Sequence, residues 1–201
     1  MIKTVILDIG NVLAAFAWQE YYASFGYDDE TLERLGKATV LSPDWNQYDL
    51  GILSDEEILK LFIENDPSIE KQLRETLTHY GPILQRYEYA IPWIEELHAK
   101  GLQVLYLSNF SPKALRECSA VLDFVPYTDG GIFSCDVRLT KPDPAIYQLL
   151  LSRYHLKADE CVFLDDTLVN VNAAEALGIH GIQFKNLTQA KAELDAIINR
   201  E

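Results

Sequence analysis

The stretch that decides the fold lies at the start of the chain, where residues 3–13 read KTVILDIGNVL. A short run of β-branched and apolar residues, TVIL, is typical of a strand buried on both faces of a parallel sheet. The run ends at Asp8, and a turn that contains Gly10 follows it directly. Because ligands of an open α/β sheet bind beyond the carboxyl ends of its strands, Asp8 is the first candidate functional residue.

Further strands of this kind return only after a long interval. From about residue 90, the strand-like segments LQVLYLS, CVFLDD and GIQF alternate with segments of helical spacing, IPWIEELHAKG, SPKALRECSAVL, DPAIYQLLLSRY, VNAAEALG and TQAKAELDAII. Strands that alternate with helices predict an α/β fold with a doubly wound parallel sheet.

The interval itself, about residues 14–85, has a helical pattern. The segments AWQEYYASFG, DDETLERLGKATVL, SDEEILKLFIEND and SIEKQLRETLTHYG carry apolar residues at helical spacing, and Ser54 with Glu57 has the spacing of a capping box. We therefore predict two units: a core of residues 1–13 and 89–201, and a small α-helical cap of residues 14–88 inserted after the first strand.

The composition restricts the partners of the protein. The chain has 201 residues, of which 48% are apolar, enough for one core with a modest insertion. Its 31 acidic residues exceed its 17 basic residues, and the net charge of −14 repels nucleic acids and anionic membranes. We expect no nucleic-acid or membrane partner, and a monomer or a homodimer.

The location of the protein is predicted from its cysteines and its hydropathy. The three cysteines are odd in number and have no metal-like spacing, which is typical of a reducing compartment. No segment approaches the roughly 20 apolar residues of a membrane span, and the N-terminus lacks the apolar core of a signal peptide. We therefore expect a cytoplasmic protein.

Polar side chains follow three of the predicted strands. Asp8 ends the first strand, Ser108 and Asn109 end VLYLSN, and Asp165 and Asp166 end VFLDD. The carboxyl ends of parallel strands meet at one edge, where three carboxylates repel one another unless a hard cation lies between them. Mg²⁺, which a few carboxylates hold together with water and substrate phosphate oxygens, fits this pattern. Ser108 and a lysine from the segment TKPDP, Lys141, are suited to hold the remaining charge of a phosphate.

Each of these residues also has a structural interpretation. A lone aspartate at a strand end commonly closes a turn, and SNFSP is compatible with a helix N-cap at Ser111 before Pro112. Lys141 is compatible with a solvated loop. Asp165 and Asp166 are both able to cap the following helix, but one cap suffices and adjacent like charges cost stability. The acidic pair is therefore the strongest sign of a metal.

Four segments, ILDIGNVL, LYLSNFS, TKPDPAIY and CVFLDDTLVNVNAAEALGIHGI, resemble in order and spacing the four motifs of the haloacid dehalogenase superfamily. The resemblance runs from residue 2 to about residue 184. The stretch DWNQYDLGILSDEEI is similar to the cap of small-cap members whose first motif reads Asp-x-Gly-Asn-Val, a group that includes sugar-phosphate phosphatases. The resemblance implies a Rossmann-like core, Mg²⁺ as cofactor and hydrolysis of a small organic phosphate monoester.

The resemblance also implies roles for the matching residues. Asp8 matches the nucleophile, which forms an aspartyl-phosphate that water later hydrolyses. Ser108 matches the hydroxyl that binds the phosphoryl group, and Asn109 beside it helps to position that group or the substrate. Lys141 matches the base that balances the charge of nucleophile and phosphate.

The metal of the family would lie among Asp8, the backbone carbonyl of Gly10, Asp165 and Asp166. One acid of the last pair binds directly, and the other directly or through water. Gly10 stands where most phosphatases of the family carry a second aspartate, which protonates the leaving group. Such a general acid contributes about 10²–10⁴-fold. A cap residue, a water molecule or an easily departing leaving group must compensate for its absence.

Other functions remain open, since one scaffold serves several reactions. A 2-haloacid dehalogenase needs no proton donor, although the acidic pair is then unexplained. A binding or regulatory protein on this scaffold has no need for Asp8, Lys141 or the acidic pair, and a mutase normally uses the missing acid.

The substrate is restricted only by the aromatic residues of the predicted cap. They either close over a small phosphate ester such as a sugar phosphate or form the core of the cap itself; they are Trp18, Tyr21, Tyr22, Trp45 and Tyr48.

Overall fold

The computed structural model describes residues 1–199, which contain seven strands: β1 (Thr4–Leu7), β2 (Ala14–Phe16), β3 (Leu84–Arg86), β4 (Gln103–Ser108), β5 (Gly131–Phe133), β6 (Cys161–Asp165) and β7 (His180–Gln183). Five of them form one sheet in the order β5-β4-β1-β6-β7. Every neighbouring pair in this sheet is parallel, so the carboxyl ends of all five strands meet at one edge. The predicted parallel α/β fold is confirmed.

The same residues contain eleven α-helices: α1 (Trp18–Ala23), α2 (Asp29–Ala38), α3 (Asp44–Asp49), α4 (Asp55–Asn65), α5 (Glu70–Thr76), α6 (Ala90–Ala99), α7 (Pro112–Glu117), α8 (Ser134–Val137), α9 (Pro144–Arg153), α10 (Leu168–Glu175) and α11 (Leu187–Ile198). The first five lie between β2 and β3, in the segment with the helical pattern. None of the helices within residues 1–199 combines the length and the hydropathy that a membrane crossing requires.

Helices cover both faces of the five-stranded sheet. Successive residues of a strand point to opposite faces, so Val5 and Leu7 pack in the cluster that includes α6 and α11, whereas Ile6 packs in the cluster that includes α9 and α10. This two-sided burial explains why β1 is a continuous apolar run without alternation.

The helical segment begins and ends in a small ribbon. Ala14–Phe16 and Leu84–Arg86 pair as antiparallel strands, so the predicted helical pattern is wrong at both of its ends. Strands of three residues are too short to show a period of two in the sequence. The ribbon returns the chain to the point where it left the sheet. The division into a core and a cap at residues 13/14 and 88/89 stays a prediction.

Two helix starts agree with the sequence. At α4, the Ser54 hydroxyl accepts from the Glu57 backbone N–H at 3.3 Å, and the Glu57 carboxylate accepts from the Ser54 N–H at 2.9 Å, which completes the predicted capping box. At α7, the Ser111 hydroxyl accepts from the Ala114 N–H at 3.2 Å, as the structural interpretation predicts.

Replacement of the capping serine tests how much this start contributes to stability. We expect Ser54→Ala to lower the free energy of unfolding by about 0.5–2 kcal/mol, because the first turn of α4 loses a hydrogen-bond acceptor. Urea denaturation measures the change. The matched control is Ser152→Ala on the exposed side of α9, which removes the same hydroxyl without removing a cap. Equal losses in the two variants would contradict the interpretation.

Candidate active site

A cavity of about 220 Å³ lies at the carboxyl edge of the sheet. Asp8 directly follows β1, and Ser108 is the last residue of β4, the neighbouring strand. Most of the predicted site residues line this cavity; they are Asp8, Gly10, Ser108, Asn109, Lys141 and Asp166. Asp165, the last residue of β6, is completely buried and contacts the site through Lys141. The structure therefore brings all of the predicted site residues together.

Lys141 is buried between two carboxylates. Its Nζ lies 2.9 Å from Asp8 Oδ1 and 2.6 Å from Asp165 Oδ2, and its side chain is 1% exposed. Burial by itself lowers the pKa of a lysine, but the charges of Asp8 and Asp165 outweigh this effect and hold the pKa of Lys141 above its usual value. The interpretation of Lys141 as a solvated loop residue is wrong.

Asn109 holds the backbone of Lys141. Its Nδ2 donates to the carbonyl of Lys141 at 2.9 Å, and its Oδ1 accepts from the N–H of Lys141 at 2.8 Å. This double contact ties the loop before α9 to the end of β4. The role of Asn109 toward phosphate or substrate stays a prediction.

The two acids at the end of β6 have different surroundings. Asp165 accepts hydrogen bonds from the Thr167 N–H at 2.8 Å and from Asn170 Nδ2 at 3.1 Å, besides its contact with Lys141. Asp166 is only partly buried, lines the cavity and accepts from Asn11 Nδ2 at 2.8 Å. Of the two acids, Asp166 is therefore the one that faces the space in which a ligand would lie.

The carboxylates meet the requirements of a divalent cation. Oxygen atoms of Asp8, Asp165 and Asp166 lie within 4.8 Å of one another. Gly10 lines the same cavity, and its backbone offers a carbonyl. A set of hard oxygen ligands at this spacing fits Mg²⁺ by its chemistry.

The nucleophile candidate is strongly influenced by its surroundings. The pKa of Asp8 is raised to about 7. Burial is the main cause, and the charge of Asp165 also raises the pKa, whereas Lys141 lowers it. The backbone N–H of Ile9 donates to Asp8 Oδ1 at 2.7 Å. A cation beside Asp8 favours the carboxylate, the form that a nucleophile requires.

The analysis of the sequence missed Asn11. Its backbone has φ 55°, in the left-handed region that asparagine tolerates better than most residues. Its Nδ2 holds Asp166, and its Oδ1 accepts from the N–H of Phe16 at 3.1 Å, so one side chain connects the first turn to β6 and to β2. The available signal was an asparagine directly after Gly10 in a tight turn.

The sequence analysis also missed Asp49, a buried acid from the helical segment. Asp49 is the last residue of α3 and lines the same cavity as Asp8. The pKa of Asp49 is raised to about 8. Burial is the main cause, and the charge of Asp8 also raises the pKa, whereas Lys141 lowers it. The available signal was an acid four residues after Trp45 and next to Tyr48, on the apolar side of a helix.

The aromatic residues of the helical segment divide between the two interpretations. Tyr21, Tyr22 and Tyr48 are buried in the hydrophobic core, and Trp18 packs against that core. Among these five aromatic residues, Trp45 alone lines the cavity, and it stacks on Phe62 with a centroid distance of 6.0 Å. Most of the aromatic residues therefore form the core of the segment.

Comparison with known proteins agrees with the fold. The chain matches the haloacid dehalogenase-like hydrolases over residues 2–178, which is most of its length. The chain belongs to this family, and the resemblance inferred from the four motifs is confirmed.

Two relatives and one solved structure illustrate what the chain is similar to. The chain is 28% identical over 208 residues to acyl-CoA dehydrogenase family member 10 of Mus musculus, but it spans only 19% of that protein, against 98% of itself. It is 25% identical over 199 residues to the sesquiterpene phosphatase astK of Aspergillus oryzae, and the match covers 98% of this chain and 96% of the phosphatase. The HAD family enzyme bt-2542 of Bacteroides thetaiotaomicron, solved in complex with magnesium and inorganic phosphate, has a TM-score of 0.69 at 20% identity, over 92% of this chain and 95% of that enzyme. This last likeness shows the shared fold.

Removal of the buried ammonium group tests its contribution to stability. We expect Lys141→Gln to lower the free energy of unfolding by about 3–5 kcal/mol, because two buried carboxylates lose their cation. Urea denaturation in a chelator measures the change without metal ions. The control is Lys157→Gln, which removes an exposed lysine 3.7 Å from Glu160 and should cost less than about 1 kcal/mol. A loss as small as that of the control would contradict the interpretation.

Proposed function

We propose that the protein is a Mg²⁺-dependent phosphatase that hydrolyses a small organic phosphate monoester through an aspartyl-phosphate on Asp8. One observation carries the proposal: a buried lysine, a strand-end hydroxyl and two carboxylates line the same cavity, and a third carboxylate, that of Asp165, lies directly behind the lysine. A nucleophilic carboxylate beside fixed positive charge is the arrangement that transfer of a dianionic phosphoryl group requires. The relationship to a sesquiterpene phosphatase and the fold shared with an enzyme that binds magnesium and phosphate support it.

The residues of the chain then divide the work. An oxygen of Asp8 attacks phosphorus, and the Ser108 hydroxyl and the Lys141 ammonium group hold the phosphoryl oxygens. Asp8, the Gly10 carbonyl and the two acids at the end of β6 would hold Mg²⁺, which would supply charge neutralisation for the phosphoryl group. Water hydrolyses the aspartyl-phosphate in the second half of the reaction.

The walls of the cavity favour a substrate whose organic part has an apolar face. Beside the polar residues, the lining contains Phe16, Trp45, Ile83, Leu84 and Phe110. A volume of about 220 Å³ suits a small molecule and not a protein chain. Aryl or terpenoid phosphates match these walls better than a fully hydroxylated sugar phosphate, because their apolar surface leaves water on binding.

The metal requirement tests the proposal directly. We expect hydrolysis of 4-nitrophenyl phosphate to depend on Mg²⁺ and to be lost in a chelator. Asp166→Asn should raise the Mg²⁺ concentration for half-maximal activity, because the cavity loses a charged ligand. The exposed Asp159 provides the matched control, and Asp159→Asn should leave the Mg²⁺ dependence unchanged.

Two results would point to other functions. Because Gly10 supplies no acid and halide displacement needs none, a 2-haloacid dehalogenase is the second candidate. Halide release from 2-haloacids, with activity that persists in a chelator, would favour it. A folded protein that binds phosphate esters without hydrolysing them would favour a binding protein.

The nucleophile is tested by an isosteric substitution. We expect Asp8→Asn to abolish turnover while circular dichroism and the melting curve remain those of a folded protein, because an amide oxygen cannot form the aspartyl-phosphate. Rapid quenching during turnover should show a covalent phosphoryl group on the wild-type chain and none on the variant. Substantial turnover by well-folded Asp8→Asn would exclude covalent catalysis by Asp8.

A further inference from the structure

The first turn of the site leaves space beside Gly10. A Cβ built on Gly10 meets no atom within 4 Å, and Gly10 is not among the residues with left-handed backbone. Neither sterics nor backbone geometry therefore requires a glycine at this position. The leaving group of a phosphate ester receives no side chain from this turn, and any proton donor must come from another element.

The carboxyl group of Asp49 opens on the cavity. Its residue is 8% exposed and lines the cavity together with Asp8, Lys141 and Ser108. Within residues 1–199, no side-chain hydrogen bond or ion pair engages this carboxyl group. Because no protein group engages it, this carboxyl group is free to contact a ligand in the cavity.

Hydrogen bonds connect the backbone of Asp49 to the segment that follows Ser108. The Ser134 hydroxyl donates to the carbonyl of Asp49 at 2.6 Å and accepts from the N–H of Phe110 at 2.8 Å. Phe110 lies two residues after Ser108. Two residues after the end of α3, Gly51 has φ +64°, and a Cβ there would lie 2.7 Å from the Cβ of Cys135, so the chain packs closely on α8.

Ring contacts of its aromatic residues fix the position of α3. Trp45 stacks on Tyr80 with a centroid distance of 6.1 Å, and Tyr48 packs edge-on against Tyr80 and Phe62. Tyr48 and Asp49 follow Trp45 by three and four positions, so both lie on the side of the helix that carries Trp45. The position of the carboxyl group is therefore set by packing and not by a flexible loop.

The charges around Asp49 favour its neutral form. Burial is the main reason why its pKa rises to about 8, and Asp8 adds to the rise, while Lys141 opposes it. Lys141 contacts Asp8 at 2.9 Å but makes no ion pair with Asp49, and the other titratable groups near Asp49 are Tyr80 and Cys135, both neutral at pH 7. Asp8 and Asp49 line the same cavity but have different environments, because Asp8 pairs with the Lys141 ammonium group and Asp49 does not.

We infer that Asp49 supplies the proton that the first turn cannot supply, and so is the general acid of the proposed phosphatase reaction, on which this inference rests. When Asp8 attacks phosphorus, the bond from phosphorus to the ester oxygen breaks, and its electron pair stays on that oxygen. The oxygen takes the proton of Asp49 and leaves as an alcohol. When water attacks the aspartyl-phosphate, the Asp49 carboxylate takes a proton from that water, and hydrogenphosphate and the Asp8 carboxylate are released.

The test compares leaving groups. Wild type and Asp49→Asn are assayed with Mg²⁺ on 2,4-dinitrophenyl, phenyl and ethyl phosphate. We expect Asp49→Asn to lose about 10²–10⁴-fold in kcat on ethyl phosphate, which needs a proton donor. It should lose little on 2,4-dinitrophenyl phosphate, whose leaving group departs as an anion. The control Asp29→Asn, an exposed acid on α2, should leave the whole series unchanged.

A second variant separates a proton donor from a structural role. Adding Gly10→Asp to Asp49→Asn should restore much of the rate on ethyl phosphate, since the space beside Gly10 accepts a side chain. An equal loss on all three esters, or no loss on ethyl phosphate, would overturn the assignment of Asp49 and leave the phosphatase proposal intact. A wild-type protein without Mg²⁺-dependent hydrolysis of any of the esters would overturn both.

Discussion

The buried ammonium group of Lys141 between two carboxylates is the interaction on which the site depends. A buried cation is tolerated only where opposite charges and hydrogen bonds meet it with good geometry. Adjacent parallel strands supply that geometry here, because β1 and β6 end side by side and deliver Asp8 and Asp165 to one point. Asn109, at the end of the next strand, holds the lysine backbone from the other side. The order of the strands in the sheet therefore determines which side chains surround the buried lysine.

The part of the site that lies on the sheet could be predicted from the sequence. Asp8, Ser108 and Asp165 each end an apolar run, and parallel strands bring such ends together whatever the details of packing. Asp49 could not be predicted in this way, because it reaches the cavity only through the docking of a six-residue helix. For Asn11, the local sequence indicates a turn, but the contacts of its side chain with Asp166 and Phe16 depend on where the turn meets distant segments.

The same distinction applies to the fold. Helices with a strong local signal, such as α4 with its capping box, begin where the sequence predicts. The strands β2, β3 and β5 have three residues each and form only because distant segments pair with them. Their stability comes from partners that a short window of sequence does not contain, so periodicity cannot reveal them. Prediction therefore succeeded where local preference and tertiary structure agree.

The hydrogen-bond chain from Phe110 through Ser134 to Asp49 has a thermodynamic consequence. The Ser134 hydroxyl accepts from the Phe110 N–H and donates to the Asp49 carbonyl, so each of these hydrogen bonds polarises the other. Ser134 thus joins the backbone two residues after Ser108 to the end of α3, and coupling through such a link is reciprocal. Any free energy that a ligand near Ser108 adds to the docking of α3 must therefore equal the free energy that docking adds to the binding of that ligand.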